Sequence, residues 1–234
     1  MSELFVSAEQ MQKATNYNQW TFELFEKYIH GDVLEVGCGV GSFTKLITAQ
    51  SKFDSLYCID ISQPAIDLIR SKDFGHAKQK LKIECIDLID IDGRYDFIVC
   101  MNVMEHVEDD RSFFKKLMSL LKPGGELFLL VPSHKFLYSN FDVAAGHFKR
   151  YTKEMMITLE PPPDVKLIDQ FYFNMIGALG YWAVYKALKS NNINDTESEI
   201  GLFDRYIVPF SKKLLPLKTP IGISLISIYK KNNL

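Results

Sequence analysis

The feature that most constrains the fold is a glycine-rich turn between residues 33 and 43. The stretch reads VLEVGCGVGSF, so a short apolar run ends in glycines at positions 37, 39 and 41, and a helix-like pattern follows. Glycine adopts backbone conformations that other residues avoid, and it lets a ligand approach the backbone closely. The pattern therefore predicts a strand, a sharp turn and a helix, with backbone N–H groups at the turn left bare for a ligand.

The spacing of these glycines narrows the choice of ligand. The fingerprint of dinucleotide-binding folds has its third glycine after two intervening residues, G-x-G-x-x-G. Here the order is G-x-G-x-G, and Ser42 occupies the sixth position. This spacing disfavours a nicotinamide-dependent oxidoreductase, which nevertheless stays open as an alternative.

The chain has the size and composition of one globular domain. It has 234 residues, of which 47% are apolar and 24% charged, and such a chain buries a full core without disulfides or metals. The net charge of −2 argues against a broad nucleic-acid-binding surface. We therefore expect no nucleic-acid partner.

The four cysteines favour a reducing compartment. They contain no C-x-x-C pair, so they give no support for a zinc site, and no metal site is predicted. The N-terminus lacks the basic and apolar regions of a signal peptide, and no apolar stretch reaches the ~20 residues that cross a bilayer. These observations predict a cytoplasmic protein without a transmembrane segment.

Strand-like and helix-like segments alternate as far as residue 131. Such alternation predicts an α/β fold, a parallel sheet with helices on both faces. Ser62 is the expected cap of the third helix, and Pro-Gly-Gly at 123–125 is expected to stop the fourth helix and turn the chain. The predicted helices cover residues 18–29, 42–49, 63–71 and 109–121, and the predicted strands cover residues 32–36, 56–59, 81–86, 95–101 and 126–131.

The pattern changes after Pro132. Residues 133–151 are polar, aromatic and aperiodic, which is typical of a long functional loop. Prolines 209 and 216 limit a late amphipathic stretch to short or kinked helices. The remaining predicted segments are strands at 165–173 and 223–229, a helix-like apolar run at 175–188, a polar connector at 191–199 and the amphipathic stretch at 202–217.

Acidic residues complete the glycine motif. Glu35 stands two residues before the first glycine, Asp60 follows the second strand 19 residues past Gly41, and Asp87 follows the third strand. Together these marks resemble those of the class I S-adenosylmethionine-dependent methyltransferases. The resemblance implies a Rossmann-like seven-stranded, mostly parallel sheet with helices on both faces and an antiparallel last strand. It also implies a single domain over residues 1–234, made of an N-terminal helical lid (1–31), a cofactor-binding core (32–131), and a substrate loop with cover helices and the last two strands (132–234).

The same resemblance implies which residues hold S-adenosylmethionine, with S-adenosylhomocysteine as the product. Asp60 would accept hydrogen bonds from both ribose hydroxyls, with Ile61 against the adenine. Asp87 would accept a hydrogen bond from the adenine amino group, and the Leu88 N–H would donate to a ring nitrogen. Asn102 would lie near the methionine part of the cofactor. The alternatives are helix capping for Asp60 and an exposed loop acid for Asp87. The predicted cofactor-binding set is Glu35, Gly37, Cys38, Gly39, Gly41, Asp60, Ile61, Asp87, Leu88 and Asn102.

Substrate contacts are predicted in the loop after the fifth strand. The string G-H-F-K-R-Y at 146–151 resembles an element of bacterial small-molecule methyltransferases. His147 is therefore a candidate general base, and His106 is a second catalytic candidate. For His147 and Tyr151, anchoring of the loop to the sheet is an equal alternative. Glu105 is interpreted as a cap of the next element. The predicted substrate-binding residues are His134, Tyr138, Arg150 and Tyr151.

The expected function is in-line transfer of a methyl group from S-adenosylmethionine to a small-molecule acceptor, to oxygen rather than nitrogen or carbon. A cofactor-binding partner subunit without its own chemistry is the alternative outside the enzymes. Apolar and basic residues between 203 and 215 leave weak peripheral membrane contact as a further alternative. Tyr17 and Trp20 are expected in a lid or in the core, with the core preferred for Trp20. The sequence leaves the oligomeric state undetermined.

Overall fold

The computed structural model describes residues 12–187 and 201–233, and within them the chain forms one seven-stranded sheet. The strand order is β3-β2-β1-β4-β5-β7-β6. Strands β1 to β5 pair in parallel, whereas β7 pairs antiparallel with both β5 and β6. The predicted sheet with an antiparallel last strand is confirmed. The strands are β1 Asp32–Val36, β2 Ser55–Asp60, β3 Leu81–Cys85, β4 Tyr95–Met101, β5 Leu121–Pro132, β6 Val165–Phe173 and β7 Ser224–Lys231.

Helices cover both faces of this sheet. Ser62 caps the third of them, because its hydroxyl accepts a hydrogen bond from the Ala65 N–H, as predicted. The described α-helices are α1 Thr15–Phe25, α2 Ser42–Gln50, α3 Gln63–Arg70, α4 Asp110–Ser119, α5 Asn140–Ala144, α6 Lys153–Thr158, α7 Met175–Tyr181 and α8 Val208–Leu214. Phe203–Ile207 is a π-helix, α8 follows at Val208, and Leu215–Leu217 is a 3-10 turn, so the stretch predicted at 202–217 consists of short helical elements that follow one another directly.

Two apolar clusters, one on each face of the sheet, form the core. On one face, β-strand residues such as Leu34 and Ile98 pack against Phe114 and Leu117 of α4. On the other face, the aromatic side chains of α1 cover the sheet, and Phe25 lies 5.0 Å from Phe128 between ring centroids. A single strand can contribute to both clusters because successive side chains along a strand point to opposite faces of the sheet.

Trp20 belongs to the second cluster. Its side chain is buried, and its ring centroid lies 4.3 Å from that of Phe173. The preferred core interpretation of Trp20 is therefore confirmed.

The start of β5 differs from the prediction. Helix α4 ends at Ser119, and β5 begins at Leu121 with Pro-Gly-Gly inside the strand. The register between β4 and β5 shifts between Tyr95 and Phe97, so Pro123 lies at an irregularity where its missing N–H is tolerated. Gly125 lies so close to the β4 backbone that an added Cβ would be 2.9 Å from the Tyr95 carbonyl oxygen. Gly125 thus permits close approach of the two strands, while Gly124, with φ of +78°, supplies the left-handed conformation at this irregularity.

The predicted loop at 133–151 contains more structure than expected. Ser139 and Asp142 form a capping box that starts α5, and Ser133 pairs with Tyr151 to join the ends of the segment. Polar capping side chains mark the start of α5. Sequence analysis looks for hydrophobic periodicity, so it does not find a short helix of this kind. The predicted connector at 191–199 and the first eleven residues of the predicted lid lie outside the described residues. Among the helices described, none combines the length and apolar character needed to cross a bilayer.

Candidate ligand-binding and active site

A cavity of about 820 Å³ opens at the carboxyl ends of β1, β2 and β4. The sheet order reverses between β1 and β4, and open α/β sheets bind ligands at such a switch point. The volume lies within the range of small-molecule sites, about 300–1,000 Å³. Nine of the ten predicted cofactor-binding residues line the cavity, namely Glu35, Gly37, Cys38, Gly39, Asp60, Ile61, Asp87, Leu88 and Asn102.

The backbone N–H groups of the glycine turn are not bare. Those of Gly37 and Cys38 donate to the Ile59 carbonyl at 2.9 and 3.0 Å. The Gly39 N–H donates to Asp60 Oδ2 at 2.8 Å, and the Gly41 N–H donates to the Cys38 carbonyl at 2.9 Å. The expectation of free amide groups is therefore wrong for these four residues, because buried backbone donors find partners within the fold.

The three glycines serve different purposes. An added Cβ at Gly37 would be 2.2 Å from Val103 Cγ2, and one at Gly41 would be 2.6 Å from Ile69 Cγ1. Gly41, the tenth predicted residue, therefore packs against α3 and does not belong to the cavity wall. Gly39 has a φ of +51° and open space in front of its Cα, so the backbone at this residue is accessible from the cavity.

Asp60 lies at the rim of the turn with its carboxylate held in place. Its Oδ1 accepts a hydrogen bond from the Ser62 N–H and its Oδ2 from the Gly39 N–H, both at 2.8 Å. A carboxylate has about four acceptor positions, so two remain for hydroxyl groups of a ligand. Because Ser62 caps α3, capping is not the role of Asp60.

Glu35 lies beneath the turn. It is buried, and its Oε2 accepts a hydrogen bond from Thr44 Oγ1 at 2.6 Å. Burial raises the pKa of this carboxyl to about 7, against the hydrogen bond from Thr44, which lowers it. The side chain thus fastens β1 to the helix that follows the turn.

The residues predicted at the adenine and methionine ends also lie at strand ends. Asp87 is exposed and accepts a hydrogen bond from the Ile89 N–H at 3.1 Å, so it caps a short 3-10 turn and lines the cavity as well. Asn102 adopts a left-handed conformation with φ of 53°, and its N–H donates to the Leu130 carbonyl at 2.9 Å.

A charged network forms the opposite wall. Asp142 is fully buried, and its Oδ1 lies 2.7 Å from His147 Nδ1 and 2.8 Å from Arg150 Nε. Its Oδ2 accepts hydrogen bonds from the Ser139 N–H and the Tyr181 hydroxyl, both at 2.9 Å. Burial raises the pKa of Asp142, but the hydrogen bond from His147 and the charge of Arg150 outweigh it and hold the pKa below its ordinary value. An ionised Asp142 accepts the Nδ1 proton, so Nε2 of His147 is the nitrogen left to meet a ligand.

Glu105 is the site residue that sequence reasoning missed. It lies in the 3-10 turn Met104–His106, it is 1% exposed, and neither carboxylate oxygen has a hydrogen-bond partner within the described part of the chain. Burial raises its pKa to about 8. Glu105 Oε1 is 4.0 Å from His147 Nε2, and the His106 and His147 rings lie 4.7 Å apart between centroids. The signal in the sequence was an acid that follows the apolar Val103 and Met104, four residues after the end of β4.

Of the four predicted substrate-binding residues, Arg150 lines the cavity and the other three do not. The Tyr138 hydroxyl donates to the His147 carbonyl at 2.7 Å, and the fully buried Tyr151 donates to Asp110 Oδ2 at 3.0 Å. His134 stacks on Tyr172 with 4.2 Å between ring centroids. These contacts anchor the loop that carries His147, and contact of the three side chains with a substrate stays a prediction.

Comparison with known proteins gives consistent matches. Residues 34–127 match the family model described as a methyltransferase domain. A ubiquinone biosynthesis O-methyltransferase of Coxiella burnetii is 32% identical over 110 residues, which are 44% of this chain and 44% of that protein. The chloroplastic tocopherol O-methyltransferase of Arabidopsis thaliana is 30% identical over 111 residues, 45% of this chain and 31% of that protein. The matched stretch spans less than half the length of either relative.

The fold extends the similarity over most of the chain. Coclaurine N-methyltransferase, solved with N-methylheliamine and S-adenosylhomocysteine, superimposes with a TM-score of 0.62 over 92% of this chain and 72% of that one. The sequence identity is 15%, so this likeness concerns the fold alone.

Proposed function

We propose that this chain, whose residues 34–127 match a methyltransferase domain, transfers a methyl group from S-adenosylmethionine to a hydroxyl oxygen of a small-molecule acceptor. The observation that carries the proposal is the pairing of Asp60 with the open face of Gly39 at the rim of the cavity. The carboxylate offers acceptors for two ribose hydroxyls, and the glycine leaves room for a ligand that a Cβ would fill. The site therefore fits an adenosyl cofactor.

The remaining cofactor contacts follow the strand ends. Asp87 and the Leu88 backbone would hold the adenine edge, and Ile61, which is 77% exposed, would cover its face. Asn102 would lie beside the methionine part. When bound, S-adenosylmethionine supplies an electrophilic methyl group whose bond to sulfur breaks as the bond to the acceptor oxygen forms. The protein therefore has mainly to align the acceptor and exclude water, which supplies up to ~7–11 kcal/mol of barrier lowering.

The wall formed by Glu105, His106 and His147 is the proposed acceptor side. Asp142 fixes the ring of His147, so its Nε2 faces the group to be activated. Apolar side chains such as Phe43, Met101 and Phe141 line other parts of the cavity and suit an acceptor with an apolar or ring-bearing portion. The names of the two relatives favour oxygen as the methylated atom. The expected location in the cytoplasm stays a prediction.

Binding of the cofactor product tests the proposal first. We expect purified protein to bind S-adenosylhomocysteine with 1:1 stoichiometry in a calorimetric titration, and to give no NADH fluorescence change. A chain that binds NADH and not S-adenosylhomocysteine would be an oxidoreductase, contrary to the proposal.

Transfer is tested by incubating the protein with methyl-labelled S-adenosylmethionine and a metabolite extract. Label that moves into an organic product, with heat-denatured protein as the control, supports an enzyme and identifies the acceptor. Cofactor binding with no labelled product from any extract fraction would favour the non-catalytic partner subunit.

Replacement of Gly39 by alanine is expected to weaken S-adenosylhomocysteine binding about tenfold, a loss of ~1.4 kcal/mol. The Cβ would project into the space proposed for the ligand. Gly75 provides a matched control, because it has φ of +53° against +51° at Gly39 and also has nothing within 4 Å of an added Cβ. Both variants should lose a similar ~1–2 kcal/mol of stability from the left-handed conformation. Equal affinity in the two variants would contradict the placement of the ligand at Gly39.

A further inference from the structure

We propose that Glu105, His106 and His147 bind a divalent transition-metal cation at the wall of the cavity. One ligand atom from each residue lies within 4.8 Å of the other two. Two imidazoles and a carboxylate form a donor set that zinc and related first-row metals use in catalytic sites. The role of the cation toward the acceptor rests on the proposed function, whereas the site itself does not.

The first argument is the unpaired buried carboxylate. Glu105 is 1% exposed, and both of its oxygens lack a hydrogen-bond partner among the residues that the structure describes. The 4.0 Å from Glu105 Oε1 to His147 Nε2 is too long for a hydrogen bond. A buried carboxyl group that lacks hydrogen bonds is held as a charged carboxylate only by a counter-charge or a metal, and otherwise it stays protonated. A cation placed between Glu105 and the two imidazoles meets that requirement.

The second argument is the outer shell of His147. Metal-binding histidines usually donate their other ring N–H to a carboxylate, which fixes the ring and the tautomer. Asp142 Oδ1 lies 2.7 Å from His147 Nδ1, and Asp142 is itself held by Arg150 Nε at 2.8 Å. The neutral Nε2 of His147 is therefore oriented toward Glu105 before any ligand arrives.

The third argument is access. The imidazoles of His106 and His147 are partly buried, meet at 73°, and line the cavity. Metal–ligand bonds of about 2.1 Å place tetrahedral ligands about 3.4 Å apart, so ligand atoms that lie within 4.8 Å of one another must close by up to ~1.4 Å. Three protein ligands then leave a coordination position open toward the cavity, as catalytic sites do.

A cation at this position would bind the hydroxyl oxygen of the acceptor and lower the pKa of that hydroxyl. The proton passes to water, the acceptor oxygen forms the new bond to the methyl carbon, and the sulfur keeps the electron pair of the broken bond. The oxidation state of the metal does not change. In this arrangement His147 is a ligand and not the general base.

Cobalt(II) provides a spectroscopic test on the full chain, prepared without an added histidine tag and dialysed against a chelator. We expect one equivalent of Co²⁺ to bind and to produce visible absorption bands. Glu105→Gln and His147→Gln should weaken binding by more than the ~10–100-fold that loss of an outer-shell partner costs. His76→Gln, a change of an exposed histidine far from the cluster, should bind Co²⁺ as the unchanged protein does.

The same samples are titrated with S-adenosylhomocysteine so that the two proposals fail separately. Absence of Co²⁺ binding with intact S-adenosylhomocysteine binding would overturn the metal site alone. Metal binding without S-adenosylhomocysteine binding would leave the site standing and overturn the proposed function. Unchanged Co²⁺ affinity in both cluster variants would place the metal elsewhere and reject this site. Circular dichroism checks folding, and His106→Asn replaces any variant that does not fold.

Discussion

Replacing Asp60 with alanine is expected to weaken S-adenosylhomocysteine binding by more than about 100-fold. Each hydrogen bond to a charged group contributes ~1.5–3 kcal/mol, and the variant would lose two such bonds to the ribose hydroxyls. The Gly39 N–H would also lose its acceptor, which loosens the turn at the point where the ligand meets the backbone. Isothermal titration of both proteins measures the ratio of the two dissociation constants.

Asp67 supplies the control for charge and helix. It is an exposed acid on α3, seven residues after Asp60, and its Oδ1 accepts a hydrogen bond from Gln63 Nε2 at 2.7 Å. Asp67→Ala removes the same charge near the same helix but away from the cavity, so affinity should stay within twofold, or ~0.4 kcal/mol. If Asp60→Ala binds as well as Asp67→Ala, the ribose contact does not exist and the proposed cofactor orientation is wrong.

The sheet could be predicted because its signals are local. Apolar runs such as 95–101 end at polar strand exits, and the structure places β4 over the same residues. The start of β5 could not be predicted in this way. Pro123 and Gly125 are turn formers by composition, and only the pairing with β4, where the register shifts, explains why a strand continues through them.

The cofactor side of the cavity was more predictable than the acceptor side. Asp60 is the last residue of β2, so its position depends mainly on the strand. Glu105 lies three residues beyond Asn102, whose left-handed backbone leads into the turn Met104–His106 and carries the acid into the interior. Three residues beyond Asn102, an acid that caps a helix and an acid that is buried cannot be distinguished in the sequence. Burial arises from tertiary packing, which one sequence does not reveal.

The loop that carries His147 shows the same limit. Tyr138 was expected to contact substrate, and for Tyr151 substrate contact and anchoring of the loop were equally open. The structure uses their hydroxyl groups to hold the loop, with acceptors on the His147 backbone and on Asp110. The sequence does not distinguish a tyrosine that contacts substrate from one that anchors a loop. The hydrogen-bond partners of the hydroxyl group, which only the structure shows, distinguish them.

Asp142→Asn is expected to destabilise the protein by about 3–5 kcal/mol, the usual cost of breaking a buried ion pair by removing one partner. Arg150 is 3% exposed, so its charge would remain buried without the carboxylate. The Tyr181 hydroxyl and the Ser139 N–H would also lose a charged acceptor. Urea unfolding at constant pH measures the free energy of unfolding in both proteins, and the melting temperature should fall by roughly 10 °C.

Two companion variants show whether the buried charge is the cause. Lys218→Met breaks the exposed pair with Asp169, and its cost should not exceed ~1 kcal/mol, as is usual for surface pairs. Adding Arg150→Met to Asp142→Asn removes the stranded guanidinium, so the double variant should be more stable than Asp142→Asn, since apolar replacement of both partners is often neutral. If the second change instead adds to the loss, the guanidinium of Arg150 is stabilised by contacts other than Asp142, and the aspartate holds the wall of the cavity through His147, Ser139 and Tyr181 alone.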